Sequence, residues 1–528
     1  MPQDQIAPDI RRDMQEKKID VDRTVAILDN YNAGKYDGVE PVSAKEMPVI
    51  DNETVLDMTG NPTLTMESAS AEKRMRELLP EIKISDYGTV TGNRIVLDTG
   101  GLRALGTALY PLVSYGVLNG GSATSYADTK KNAAFNQALF DLLGKDFHRI
   151  AAQATGKPKG VTPAYINPDG SPGASFLELK MRSLLIEALR YQLRFSPDEQ
   201  KPEALTPMFQ MTSVYNDAEI EETYRGYRES ELLGDLQRET GIDVTQAETG
   251  VQPMIAAFTH SSEGRPKRIF TSAHGTEGST LPLPGGHGQN FSILSDVYRR
   301  LRAAGKRFVY LGNVDNLGFT VEPVSLAYLA LTGKQAGFDF AFRTSVDVKG
   351  GILVVDQHNR YNCADLGPAI SKEDAFRAEE GGKKILFNCA TGLFNLDYLV
   401  AHLDRIVEEL PVRWSDQDKD AGRYSQAEQV TWEIVGMLDD FLVFGIDKYD
   451  RFLAAKLLLE TLMTSGLNLD APSYPTSSNP AEDLKGTASK LHEGLKRKLA
   501  TVYGMKLSGK RWVPKGIIEL KKELQDGR

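Results

Sequence analysis

The sequence predicts an α/β fold, a sheet with helices on both faces whose ligands lie beyond the carboxyl ends of the strands. Three observations carry that prediction. From about residue 86 onward, short β-branched or aromatic runs end in glycine-rich turns, each followed by a segment of helical period. Hydrophobic residues make up 41% and charged residues 25% of the 528, with 47 glycines, an ordinary globular balance that excludes a disordered chain. No apolar run approaches the ~18 residues of a bilayer span, the longest lying at 352–355 and 441–446.

Taken in order, residues 1–85 read as a helical N-terminal region, with a helix over 70–79 that Ser70 can cap and that Met75, Leu78 and Leu79 stripe on one side. Strands are expected at 112–118, 207–212, 254–258, 308–311, 338–343, 352–355 and 385–387. Helices are expected at 132–143, 176–193, 292–304, 393–409 and 426–443. The core therefore spans 86–466, and a proline and serine cluster at 468–480 marks a linker. Residues 467–528 form a small C-terminal region with a basic helix near 482–500 and a strand-turn-strand rhythm at 505–522. No internal repeat is present.

The N-terminal stretch is charged and has no apolar signal core, which predicts a cytoplasmic protein without membrane partners. Two cysteines, Cys363 and Cys389, make neither a disulfide framework nor a four-ligand zinc site. A net charge of −10 argues against nucleic acid as partner, since counterion release needs a basic surface. Any anionic ligand must then meet a local cluster of cations.

Three motifs sit at expected strand ends. Leu118-Asn119-Gly120-Gly121 follows a buried strand, and amides freed by such a turn can hold a base edge or phosphates, although tight glycine turns also occur without a ligand. It lacks the spacing of a dinucleotide fingerprint or a P-loop. Pro284-Gly285-Gly286-His287-Gly288 places an imidazole between residues without side chains, which gives a donor for a phosphate or sugar oxygen or simply a solvated loop histidine. Asn313-Val314-Asp315-Asn316 puts a carboxylate at a strand end, suited to a hydrated Mg²⁺ that bridges phosphates or to an Asx-turn.

Together these motifs resemble the UTP–glucose-1-phosphate uridylyltransferase (UDP-glucose pyrophosphorylase) family, of the UDP-sugar pyrophosphorylase type. The resemblance extends to DVKGG at 347–351, Pro158-Lys159-Gly160 with SFLELKMRSLL at 175–185, Leu386-Phe387-Asn388, and RFLAAK at 451–456, in order over 90–465. It implies a Rossmann-like nucleotidyltransferase (glycosyltransferase-A-like) mixed sheet, with UTP and a hexose 1-phosphate as partners and Mg²⁺ as cofactor. By the same resemblance, Lys159 and Lys456 are the catalytic phosphate clamps. Leu118, Asn119, Gly120, Gly121, Met211, His260, Gly286, Asn313 and Asp315 bind the nucleotide, and Met211 packs on the uracil. His287, Gly351 and Asn388 bind the sugar phosphate, and Asp315 holds the metal.

Departures from the family pattern sharpen the expectations. Lys159 lies 38 positions beyond Gly121, and the intervening 122–157 is an insertion with a helix of its own, so Lys130 or Lys131 is an alternative phosphate ligand. His260 stands where the family has a uracil-reading glutamine, and Asn362 where an acidic residue binds sugar hydroxyls. Glucose 1-phosphate is the expected substrate; the alternatives are an N-acetylhexosamine 1-phosphate, a broad set of sugars, or an inactive sugar-nucleotide-binding protein. The shortened C-terminal region leaves the oligomeric state open.

Overall fold

The computed structural model describes residues 6–38, 40–195, 205, 207–344, 347 and 349–526. Its centre is an eleven-stranded mixed sheet. Two strands come from the N-terminal region, β1 (Ala44–Glu46) and β2 (Val55–Asp57). Three more come from the first half of the core: β3 (Val113–Leu118), β4 (Met208–Ser213) and β5 (Glu248–Gln252). Then follow β6 (Phe308–Asn313), β7 (Ala336–Phe342), β8 (Gly351–Asp356), β9 (Tyr361–Asp365) and β10 (Leu386–Asn395). A separate hairpin, β11 (Val412–Lys419) with β12 (Gly422–Gln429), precedes the last sheet strand, β13 (Leu442–Ile446).

The order along the sheet is β2-β13-β7-β10-β6-β3-β4-β5, with β1, β8 and β9 branching from β10 through β8. Strands β6, β3, β4 and β5 are mutually parallel, whereas β10 runs antiparallel to both β6 and β7. The central strands are buried on both faces, and β3 has all six residues buried, which explains its continuous apolar reading. Strand β6 shows the two-residue period: Phe308 and Tyr310 enter one core, Val309 and Leu311 the other. Helices Thr99–Ala108, Phe176–Phe195 and Pro323–Thr332 cover the first face, and Ser295–Ala303 with Leu396–Glu409 the second.

The N-terminal region holds helices Pro8–Glu16, Val21–Asn32 and Ser68–Leu78, and in addition strands, of which β2 pairs in parallel with β13. Ser70 does not cap the third helix; its hydroxyl donates to Glu67 from inside the first turn. The helix expected at 426–443 does not form. Strand β12 ends at Gln429, a 3₁₀ segment Thr431–Met437 follows, and β13 begins at Leu442. Pairing with β11 and the ties of Thr431 described below outweigh local helical period there. The expected linker is packed: Tyr474 is buried in the core that the insertion shares with the helix Leu458–Thr464.

The insertion itself contains α1 (Thr129–Phe135) and α2 (Gln137–Ala154), capped by Asp128 and Asn136. Its ends meet. The amide of Lys159 donates to the Gly121 carbonyl at 3.0 Å, and that of Ala123 to Lys157 at 2.8 Å. The C-terminal region consists of the helix Leu484–Thr501, a hairpin of Met505–Ser508 with Arg511–Pro514, and the helix Ile517–Asp526.

Candidate active site

Register places the first and third motifs side by side, because Leu118 pairs with Asn313 across the parallel β3–β6 ladder. The turn after β6 is then locked from below. Asn316 Oδ1 accepts the amides of Gly318 at 2.9 Å and Leu453 at 3.0 Å. The Leu317 amide donates to the Leu453 carbonyl, and a β-bridge joins Asn316 to Ala454. Gly318 has no room for a Cβ, which would strike the Arg451 backbone. The fully buried ammonium of Lys180 donates to the carbonyls of Asn316 and Phe319, and burial holds its pKa well below the lysine range. Arg451 anchors the opposite side through a buried pair with Asp339, Nη2 to Oδ2 at 2.8 Å. The two segments 313–318 and 451–456, remote in sequence, are thus one rigid unit.

That unit gathers the expected phosphate groups. Lys159, 7% exposed, donates from Nζ to the Ala455 carbonyl at 2.7 Å and lies 3.2 Å from the Tyr126 ring centroid. Burial lowers its pKa to about 8, against the raising influence of Asp315 and Glu460. Lys456 is exposed, and its backbone amide is fixed on Glu460 at 2.7 Å. Lys130 and Lys131 lie on the outer insertion, where Lys131 Nζ donates to Ser125.

A cavity of about 480 Å³ opens over this unit, and Asn313, Asp315, His287, Gly351, Asn388 and Lys456 all line it. His287 is oriented by Thr431. The Thr431 amide donates to Nδ1 at 3.1 Å, which fixes Nδ1 as an acceptor and leaves Nε2 to carry the proton. Burial, with Arg413 and Lys456 nearby, lowers the His287 pKa to about 4, so the imidazole is neutral at physiological pH. Gly286 has φ +83 and its missing Cβ would collide with the Gln429 carbonyl, so the glycine is needed on both counts.

The nucleotide side differs from expectation in three places. Asn119 is wholly buried, with Nδ2 on Gln210, Oδ1 against Gly160, its amide on the Met211 carbonyl and its carbonyl accepting from Asn216, so it supports the turn from within. Met211 is 2% exposed inside the core; its carbonyl, which accepts the Asn119 amide at 2.8 Å, supports the turn. His260 is not brought to the site. Its Nδ1 bonds Ser262 at 2.8 Å and its Nε2 lies 3.8 Å from Asp416 beside the β11–β12 hairpin. The buried Gln252, at the end of β5, stands there instead: its Oε1 is 3.4 Å from the Cβ position of Gly120, and its Nε2 donates to the Gly286 carbonyl at 2.8 Å. Val348 of the 347–351 motif lies outside the described residues.

No group of three or more His, Cys, Asp or Glu side chains is arranged to hold a metal among the described residues. The Asp315 carboxylate, which accepts no hydrogen bond from a described residue, fits a Mg²⁺ held by one protein carboxylate together with substrate phosphates.

Glycine turns beside a parallel β3–β6 pair, a cavity lined by Asp315, His287 and Lys456, and the buried Lys159 behind Ala455 make up the candidate site on a mixed sheet. Residues 266–469 match the family model described as UTP--glucose-1-phosphate uridylyltransferase, which bears out the motif resemblance. UTP--glucose-1-phosphate uridylyltransferase of Solanum tuberosum is 24% identical over 260 residues, 46% of this chain and 54% of that protein. A probable enzyme of the same name from Schizosaccharomyces pombe is 36% identical over 73 residues, 13% of this chain and 14% of its own. The potato match thus spans about half the length of that relative. Among solved structures, UDP-glucose phosphorylase of Trypanosoma brucei superposes with a TM-score of 0.53 at 17% identity, covering 89% of this chain and 80% of that one. The uridine diphosphate N-acetylglucosamine pyrophosphorylase of the same organism gives 0.56 at 14% identity, covering 95% and 92%. The fold is that of the UDP-sugar pyrophosphorylases.

Proposed function

We propose that this chain transfers uridylyl from UTP to a hexose 1-phosphate, foremost glucose 1-phosphate, with release of pyrophosphate and with Mg²⁺. The observation that supports the reading is one cavity lined by Asp315, His287 and Lys456, with the buried Lys159 held on the Ala455 carbonyl next to Lys456. A sugar-phosphate oxygen attacks the α-phosphorus of UTP; that P–O bond forms as the bond from the α-phosphorus to the bridging oxygen breaks and pyrophosphate leaves. Two polyanions must be brought together, so positioning and charge stabilisation dominate. The monoester is already ionised near neutral pH, and no general base is needed.

Leu118, Gly120 and Gly121 offer backbone to the nucleotide, with Gln252 taking the uracil edge that the sequence assigned to His260. Lys159 and Lys456 neutralise the phosphates from below and from the rim. His287 donates from Nε2 to the sugar phosphate, while Gly286 lets the nucleotide approach the backbone. Asn313 faces the ribose side, and Gly351 with Asn388 lines the sugar. Mg²⁺ on Asp315 would draw negative charge from the phosphates as the leaving group departs. The core 86–466 carries the chemistry, and 467–528 closes the far wall of the cavity through Leu484, Thr487 and Leu491. A cytoplasmic setting fits its substrates, and no described helix is long and apolar enough to cross a membrane.

Pyrophosphate release from UTP and Mg²⁺, run against glucose, galactose and N-acetylhexosamine 1-phosphates, tests the reading. Turnover with UTP on glucose 1-phosphate is expected. Silence on every sugar from folded protein, with UDP-sugar binding retained, would instead mark an inactive binding protein.

A further inference from the structure

The sugar side of the cavity carries a group that the motif resemblance leaves unassigned. We propose that Asp365, held in place by Arg413, is the hydroxyl-accepting residue that selects a neutral hexose 1-phosphate over one bearing a carboxylate; the inference rests on the uridylyltransferase reading.

Asn362, at the position where the sequence lacks the expected acid, is turned away from the cavity: its Oδ1 accepts the Cys363 amide at 2.9 Å and its amide packs beneath Gly436. Asp365, three residues on and at the end of β9, is the register partner of Gly351 and lines the cavity with it. Gly351 leaves open the space between the Cys363 thiol and Asn388, 3.3 and 3.8 Å from where a Cβ would be. A sugar bound along this wall of the cavity would meet Asp365 beside Gly351.

One oxygen of Asp365 is taken. Arg413 Nη1 donates to Oδ2 at 2.9 Å, and the same guanidinium donates from Nε to Glu433. Oδ1 receives no hydrogen bond from a described residue, and the side chain is 49% exposed. The guanidinium thus splints Asp365 from a different element, the β11–β12 hairpin, whose continuation also carries Thr431, the residue that orients His287. Sugar and phosphate recognition share one support. One guanidinium between two carboxylates leaves the group net acidic, so it offers acceptors to O–H donors and repels a sugar carboxylate. Arg413 is a positioning residue.

Steady-state kinetics with glucose 1-phosphate and glucuronic acid 1-phosphate test this. Asp365→Ala is expected to raise KM for glucose 1-phosphate roughly 10–100-fold, as loss of a charged hydrogen bond implies. KM for UTP should stay within about twofold, and the preference for glucose over glucuronate should fall about tenfold or more. Arg413→Lys, which keeps the charge and loses the fork, should raise the sugar KM while leaving kcat nearly intact. An unchanged sugar KM in Asp365→Ala, or a UTP KM that rises equally, overturns the proposal. If the wild type turns over no sugar, the parent reading falls, and calorimetry decides this one. Weaker binding of UDP-glucose with unchanged binding of UDP supports it, and equal loss of both overturns it.

Discussion

Lys159 carries the sharpest chemical consequence at the scale of a single residue. Its ammonium is buried against Tyr126 and the Ala455 carbonyl, and burial brings its pKa to about 8. If the charged form binds phosphate, kcat/KM should fall as pH rises through about 8. Stability moves the other way. Between about 8 and the ordinary value of 10.5 the unfolded chain holds the proton and the folded one does not, so this group's contribution to stability rises with pH. A pH profile of kcat/KM beside a pH series of urea midpoints checks both signs, and a kinetic limb that persists in Lys159→Ala would remove the lysine from the assignment. That variant should lose about 10²–10³-fold in turnover while folding normally by circular dichroism. His260 shows the reverse lesson: a residue matched by its place in the family pattern lies beside the β11–β12 hairpin, while Gln252 sits between the Gly120 and Gly286 turns.

Elements, not individual residues, decide whether those groups converge. The loop around Gly286 is pressed onto Gln429, so Gly286→Ala combines a strained φ of +83 with a backbone collision. A loss of about 1–3 kcal/mol is expected, read from urea unfolding, with a raised KM for both substrates. The insertion 122–157 leaves and re-enters the core at Gly121, and its α2 packs on the helix that follows Lys456. Leu143 is fully buried in that contact beside Leu458, Leu459 and Leu462. Leu143→Ala should cost about 2–5 kcal/mol, and it should loosen Lys456, which a rise in the sugar-phosphate KM would reveal. Most strands and helices were legible from period and glycine punctuation. The segment 426–443 was not, because Thr431 is committed to His287, 144 positions away, and residues 426–429 to the adjacent hairpin strand, pairings that override its helical period.

Across the whole molecule, one buried ion pair ties the late lysine motif to the sheet. Arg451 reaches Asp339 on β7 and the Thr320 side chain and carbonyl, while its own carbonyl accepts from Asn316. Asp339→Asn would leave the buried guanidinium only the more distant Glu322, 3.9 Å from Nη1, as counter-charge, and a loss of up to about 3–5 kcal/mol is expected in chemical denaturation. Activity should fall with it, since Asp315 and Lys456 are placed by the same unit; full activity at unchanged stability would show that the unit is not rigidly coupled.

By itself the sequence determined the class of fold and proposed most of the candidate residues of the site, because two-residue and helical periods, glycine turns and the order of short motifs are all local properties written along the chain. Only the tertiary structure decided which candidates meet. Lys159 returns to Gly121 across an insertion whose ends are hydrogen-bonded together, and Asp365 is aimed by an arginine 48 positions away. Such pairings are set by strand register and by core packing between remote segments, and neither is encoded in the spacing of the residues it joins.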